Sequence, residues 1–281
     1  MKYFQYITLV LVSIFLQSCE TSVDASGLLN QEQLVVINGF LSPQDTTLKI
    51  RVSKSRSKAS TDTSSLLITD ATVTITDETD NEVMLTYNAT TSNYEAPATD
   101  LPIMPGKKYF LKVMAEGEEY KSSCTIPLER VTRVEQEIKL ETRDDFFGNR
   151  EMKLTVEDIK DVSNYYIVGA VVTGRFPGGG DTDVSVDFEF NKFVTDTNRE
   201  NTVVNADGFF FLSEDTEITK IVIRVANNEK LLYDSLRAEF FNKENEDNPF
   251  IEPVISPTNI EGKNGFGVFG GYQFVEFEIT P

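Results

Sequence analysis

The sequence runs to 281 residues with 45 acidic and 26 basic side chains, a net charge of −19, and neither histidine nor tryptophan. The absence of histidine excludes Ser-His-Asp and Cys-His catalysis, histidine zinc sites and the usual general base near neutral pH. The acidic balance disfavours nucleic acid, which is bound by neutralising phosphates with Lys and Arg, and disfavours attraction to anionic lipid heads.

The N-terminus carries Lys2, an apolar run from Ile7 to Leu16, and then Leu16-Gln17-Ser18-Cys19. That order reads as a lipoprotein signal peptide over residues 1–18, with Cys19 the first residue of the mature protein. The apolar run is shorter than the roughly 20 residues that a membrane-spanning helix needs and sits where a removable export signal belongs. The alternative is a short membrane anchor or an ordinary secretory signal with a chance cysteine. Lipidation at Cys19 adds diacylglycerol on sulfur and a further acyl chain, such as palmitate, on the amine; two or more chains anchor a protein stably. Removal of the signal takes away Lys2 and no acid, leaving 25 basic against 45 acidic residues, or −20. The acyl chains, not charge, then hold the protein on its membrane.

Residues 19–33 form a polar tether. Short β-type runs follow at Leu34–Phe40, Thr47–Ser53, Ala71–Thr76, Glu82–Tyr87, Asn93–Ala96, Lys108–Ala115 and Glu119–Ile126. They alternate apolar and polar residues and are separated by turn chemistry such as Pro105-Gly106 and Glu116-Gly117-Glu118. Seven strands in about 95 residues predict an immunoglobulin-like β-sandwich over 34–128. Cys124 lies in the last of these runs and reads as a buried inert cysteine rather than a reactive thiol. With Cys19 acylated, it has no partner for an intramolecular disulfide. Arg51, Lys54, Arg56 and Lys58 cluster around the polar stretch Ser53–Ser65, which reads as a solvated loop or as a partner contact.

A second β-rich domain is predicted over 129–281, either a sandwich or a barrel-like sheet. Its runs are Val134–Thr142, Glu151–Asp158, Asn164–Thr173, Val184–Val194, Phe209–Leu212, Ile218–Ala226 and Tyr272–Ile279. Arg175–Gly180 reads as a flexible loop and Asn205-Ala206-Asp207-Gly208 as a tight turn. Leu232, Leu236 and Phe240 recur every fourth residue, flanked by Leu231 and Tyr233, so residues 230–245 are predicted to form an amphipathic helix covering this domain. The overall expectation is therefore mainly β, with one helix.

No motif supplies chemistry. Asp181-Thr182-Asp183-Val184-Ser185-Val186-Asp187 matches a calcium loop poorly, since Val186 stands where glycine belongs and Lys192 where a bidentate Glu belongs. Gly178–Gly180 lacks the Gly-Lys-Ser/Thr ending of a phosphate loop. A glycosidase needs two positioned carboxylates, and nothing in the pattern singles out a pair. The expectation is a non-enzyme with no cofactor and no metal.

The C-terminal stretch reads Asn248-Pro249-Phe250-Ile251-Glu252-Pro253, then Ser256-Pro257-Thr258-Asn259-Ile260-Glu261-Gly262, then Gly265-Phe266-Gly267-Val268-Phe269-Gly270-Gly271-Tyr272. With the Leu16–Cys19 element, Leu34–Gly39, Asp70–Val73, Gly106–Tyr109 and the Tyr233–Phe241 helix, it resembles the domain-of-unknown-function family 4249, lipoproteins of the Bacteroidota. The resemblance covers nearly all the mature chain. It implies outer-membrane location and gene neighbourhood with a TonB-dependent transporter; no activity or ligand comes with it. From the residues alone, Asn259, Gly262, Phe266, Gly267, Phe269, Gly270, Gly271 and Tyr272 read either as structural closure of the second domain or as a partner- or ligand-facing loop.

The functional expectation is a lipid-anchored outer-membrane accessory protein of a TonB-dependent transporter, non-catalytic, capturing substrate or stabilising the complex. It faces the cell surface rather than the periplasm. The alternative is a structural or adhesive envelope lipoprotein with an Ig-like spacer.

Overall fold

The computed structural model describes residues 33–56, 66–140, 149–196, 203–213 and 215–281. The expected signal peptide, Cys19, all but the last residue of the tether, Lys58, and Thr142 at the end of one expected strand lie outside the described residues. Residues 34–55 and 64–281 form one compact unit; of the other unit, residues 1–33 and 56–63, only Gln33 and Arg56 are described.

The chain is mainly β. Strands form where apolar and polar residues alternate, because a period of two puts every second side chain on one face of the sheet. They begin with β1 (Val35–Leu41), β2 (Thr47–Lys54), β3 (Thr72–Asp77), β4 (Glu82–Asn88), β5 (Asn93–Pro97), β6 (Lys108–Ala115) and β7 (Glu118–Thr125). In β6 the buried residues are Tyr109, Leu111, Val113 and Ala115, with an exposed residue before each. β4 belongs to two layers: Glu82 to Leu85 pair with β3, and Thr86 to Asn88 pair with β5. The inward faces on either side of that switch meet in one core, which includes Ile37, Ile50, Ile75, Leu111 and Tyr120. Burial of each such side chain contributes about 1.5–3 kcal/mol, so a register slip of one residue would forfeit the whole set.

The second set comprises β8 (Val134–Leu140), β9 (Asn149–Glu157), β10 (Tyr165–Arg175), β11 (Asp181–Ser185), β12 (Phe193–Thr195), β13 (Val203–Phe211) and β14 (Glu217–Asn228). Helix α1 (Lys230–Glu244) follows, then β15 (Gly265–Phe266) and β16 (Phe269–Ile279). β13, β9 and β8 form a three-stranded sheet, while β11-β10-β14-β16-β1-β2-β5-β4-β3-β6-β7 run in order through a larger one. Met152, Leu154 and Val156 from the small sheet pack with Val168, Val172, Ile221 and Ile223 from the large one in a second core. β16 joins both sets: Phe269 to Gly271 pair parallel to β1, and Tyr272 to Ile279 pair antiparallel to β14.

Two expectations are corrected. Asn205-Ala206-Asp207-Gly208 is not a turn but the middle of β13, paired throughout with β9. Ala206 and Gly208 face inward while Asn205 and Asp207 face solvent, so alternation overrides the turn preference of Asn, Asp and Gly. Nor is Val184–Val194 one strand. β11 and β12 pair with opposite ends of β10, and a 3-10 turn over Glu189–Lys192 separates them. The Asp187 carboxylate accepts the Glu189 N–H at 2.8 Å and turns the chain there. Helix α1 forms where the apolar spacing predicts it. It buries Leu232, Tyr233 and Ala238, and sets Tyr233 against Tyr165 and Phe193, and Phe240 against Phe193.

Candidate functional site

The glycine-aromatic residues form a seam between strands. The Asn259 side chain accepts the Phe269 N–H at 3.0 Å and donates to the carbonyls of Ser123 and Phe269 at 3.0 and 2.8 Å. Gly267 sits at φ +112, where a Cβ would lie 2.1 Å from the Ile37 carbonyl oxygen. Such an approach is open only to glycine. A Cβ on Gly270 would strike Leu232 of α1, one on Gly271 the Thr125 carbonyl, and one on Gly262 the Tyr120 ring. Phe269 is fully buried in the first core; Phe266 is half-buried in β15, opposite Val36. Tyr272 differs, because its half-buried ring lines a groove.

That groove, about 450 Å³, lies on the outer face of β1 and β2, between Phe40, Asp45, Lys49, Arg51, Asn93 and Tyr272. Alternation places Lys49 and Arg51 on the exposed face of β2 while Leu48, Ile50 and Val52 enter the core. The turn between β1 and β2 is fixed to β16 at two points. Gln44 accepts the Phe274 N–H at 3.2 Å, and Tyr272 donates its hydroxyl to Asp45 at 3.0 Å. Burial pushes the Asp45 carboxyl above the usual carboxylate range, partly offset by the Tyr272 hydroxyl. Burial, reinforced by Asp45, raises the Tyr272 phenol as well, so it stays protonated. Neither Lys49 nor Arg51 forms an ion pair among the described residues, whereas Lys54 is held by Glu116 at 2.7 Å. The basic cluster of the sequence is thus divided: Arg51 opens into the groove, Lys54 is engaged, and Arg56 is exposed.

A second feature follows α1. Residues 246–257 carry Pro249, Pro253 and Pro257 and leave Phe250 95% and Ile255 91% exposed. The segment is nevertheless held in place. Asn242 on the helix donates to the Val254 carbonyl at 2.9 Å and accepts its N–H at 2.8 Å. Ser235 and Ser256 hydroxyls meet at 3.0 Å, and Asn248 accepts the Phe250 N–H at 3.1 Å. Glu246, Asp247 and Glu252 flank the two apolar side chains.

Several other polar groups have structural partners. Glu229, ahead of α1, accepts the N–H groups of Thr125 and Gly271 at 3.3 and 3.2 Å; burial raises its carboxyl, and those amides oppose the rise. Cys124 is buried, and burial pushes its thiol up. Asp181 pairs with Arg175, and Asp183 accepts the Thr173 hydroxyl, each across the β10–β11 hairpin. No group of three or more Cys, Asp or Glu side chains among the described residues is arranged to hold a metal ion.

Sequence reasoning singled out Arg51 and Tyr272 separately and missed Asp45 and Lys49. Asn248–Pro253 stands out in the sequence as part of the C-terminal signature, and its apolar pair between prolines is the signal that marks Phe250. Among the described residues, no helix is long and apolar enough to cross a membrane. No curated protein matches the chain. The family model described as a domain of unknown function, DUF4249, matches residues 20–278, and the chain belongs to that family.

Proposed function

We propose that this protein is a lipid-anchored outer-membrane accessory of a TonB-dependent transporter, non-catalytic, which captures substrate or stabilises the complex from the cell-surface face. The observation that carries the association is the clamped segment 246–257. Exposed apolar patches mark interaction sites, and Phe250 and Ile255 are almost wholly exposed within one hydrogen-bonded loop. A few well-placed anchor side chains carry most of the energy of a protein interface. Acidic neighbours make an anionic lipid surface a poor partner. The Leu16–Cys19 element supports the anchor. We further read β1–β7 as an immunoglobulin-like sandwich, supported by the strand that switches layers at Leu85–Thr86, and the β8–β14 set as a second sandwich.

The test is co-purification of C-terminally tagged, Cys19-lipidated protein from gently solubilised outer membranes. A transporter in stoichiometric amount is the expected result, through an interface burying at least ~1,000 Å². The double variant Phe250→Ser/Ile255→Ser should lose it. Recovery of structural proteins and envelope polymer instead would move the protein to the spacer reading.

A further inference from the structure

We infer that the groove between β2 and Tyr272 binds a hydroxylated carboxylate of sugar size, such as a uronic acid. Its charges ask for two kinds of group in one ligand. Lys49 and Arg51 stand two residues apart on one face of β2 with no ion pair among the described residues, in a chain that carries 45 acids. Lys49 lies opposite Glu95 across the β2–β5 pair, so Arg51 is the cation left most open to an anion, with Lys49 beside it; Arg with Lys matches a carboxylate by charge-assisted hydrogen bonds. The opposite wall asks for donors. The Asp45 carboxylate, which takes the Tyr272 hydroxyl and a backbone hydrogen bond from Ser42, is an acceptor on this wall; the Asn93 amide nitrogen is engaged by the Thr91 carbonyl, leaving its oxygen as an acceptor.

A bare anion such as phosphate meets the first wall and is repelled by the second. A neutral sugar meets the second and leaves the cations unused. A sugar acid meets both. Phe40 and Tyr272 add apolar ring surface along the groove, against which the C–H face of a pyranose can rest. The volume, about 450 Å³, falls within the usual range for small-molecule sites, roughly 300–1,000 Å³. The geometry is set before any ligand arrives, because Gln44 and Asp45 tie the β1–β2 turn to β16; pre-organisation lowers the entropy cost of binding. The groove shares no residue with the 246–257 loop, so it serves the substrate-capture part of the functional reading and not the association.

Calorimetric titration of the full lipidated chain in detergent tests this with D-glucuronate, D-glucose, inorganic phosphate and glycine. D-glucuronate should bind at least ten-fold more tightly than the other three, and added salt should weaken it. Lys49→Ala/Arg51→Ala, both on an exposed sheet face, should cut D-glucuronate affinity at least ten-fold without shifting thermal unfolding. Phosphate, glucose or glycine binding as tightly, an unaffected double variant, or no heat with D-glucuronate at tens of millimolar would each overturn the inference. Titration uses the isolated chain and co-purification needs no sugar, so the two readings fail separately.

Discussion

Residues 246–257 and 259–272 are neighbours in sequence, both setting apolar side chains among residues that break regular structure, and the fold treats them in opposite ways. In the second, Phe269 is fully buried; in the first, Phe250 is 95% exposed. The difference lies in which breaker is used. Glycine lets the backbone come within contact of Ile37, Thr125 and Leu232, so Phe269 is drawn into the core. Proline lacks the N–H that a sheet would pair, so Pro249, Pro253 and Pro257 keep their stretch out of the ladders and on the surface. One stretch closes the fold and the other presents side chains to a partner.

Substitutions sharpen or break that contrast. Gly267→Ala should have the largest effect, because a methyl 2.1 Å from a carbonyl oxygen and a left-handed φ both oppose it. A loss of about 3 kcal/mol or more is expected in denaturant unfolding, and wild-type stability would contradict the seam. Asn259→Ala comes next. It removes three hydrogen bonds joining the segment to β7 and β16, and a loss of about 2 kcal/mol is expected. Phe250→Ser/Ile255→Ser should be smallest, within about 0.5 kcal/mol of wild type. If that pair unfolds the protein, the loop is core and not display.

Much of the architecture was legible because burial follows a period of two. Tyr109, Leu111 and Val113 could be placed inward from spacing alone, and Leu232, Leu236 and Phe240 gave the helix. Asn205–Gly208 misled because local turn preference and alternation disagreed, and pairing with β9 decided the matter. The groove could not be read, since its walls are brought together by contacts across well over two hundred positions of chain, such as the Asp45–Tyr272 bond that spans 227. Glycine and aromatic residues in the seam look alike whether they face a ligand or a backbone carbonyl, so their sequence left both roles open.

β16 has a consequence for how the molecule comes together. Its contacts with the start of the fold span 230 positions, as between Gln44 and Phe274. Pairing at that separation carries the entropy of closing nearly the whole chain, and folds dominated by such contacts assemble slowly. Until it happens, β1 and β14 each present an unpaired edge, the feature through which chains join to one another rather than to themselves. The interval before β16 docks is therefore when this protein is most exposed to aggregation, and whatever shields it must act during that interval.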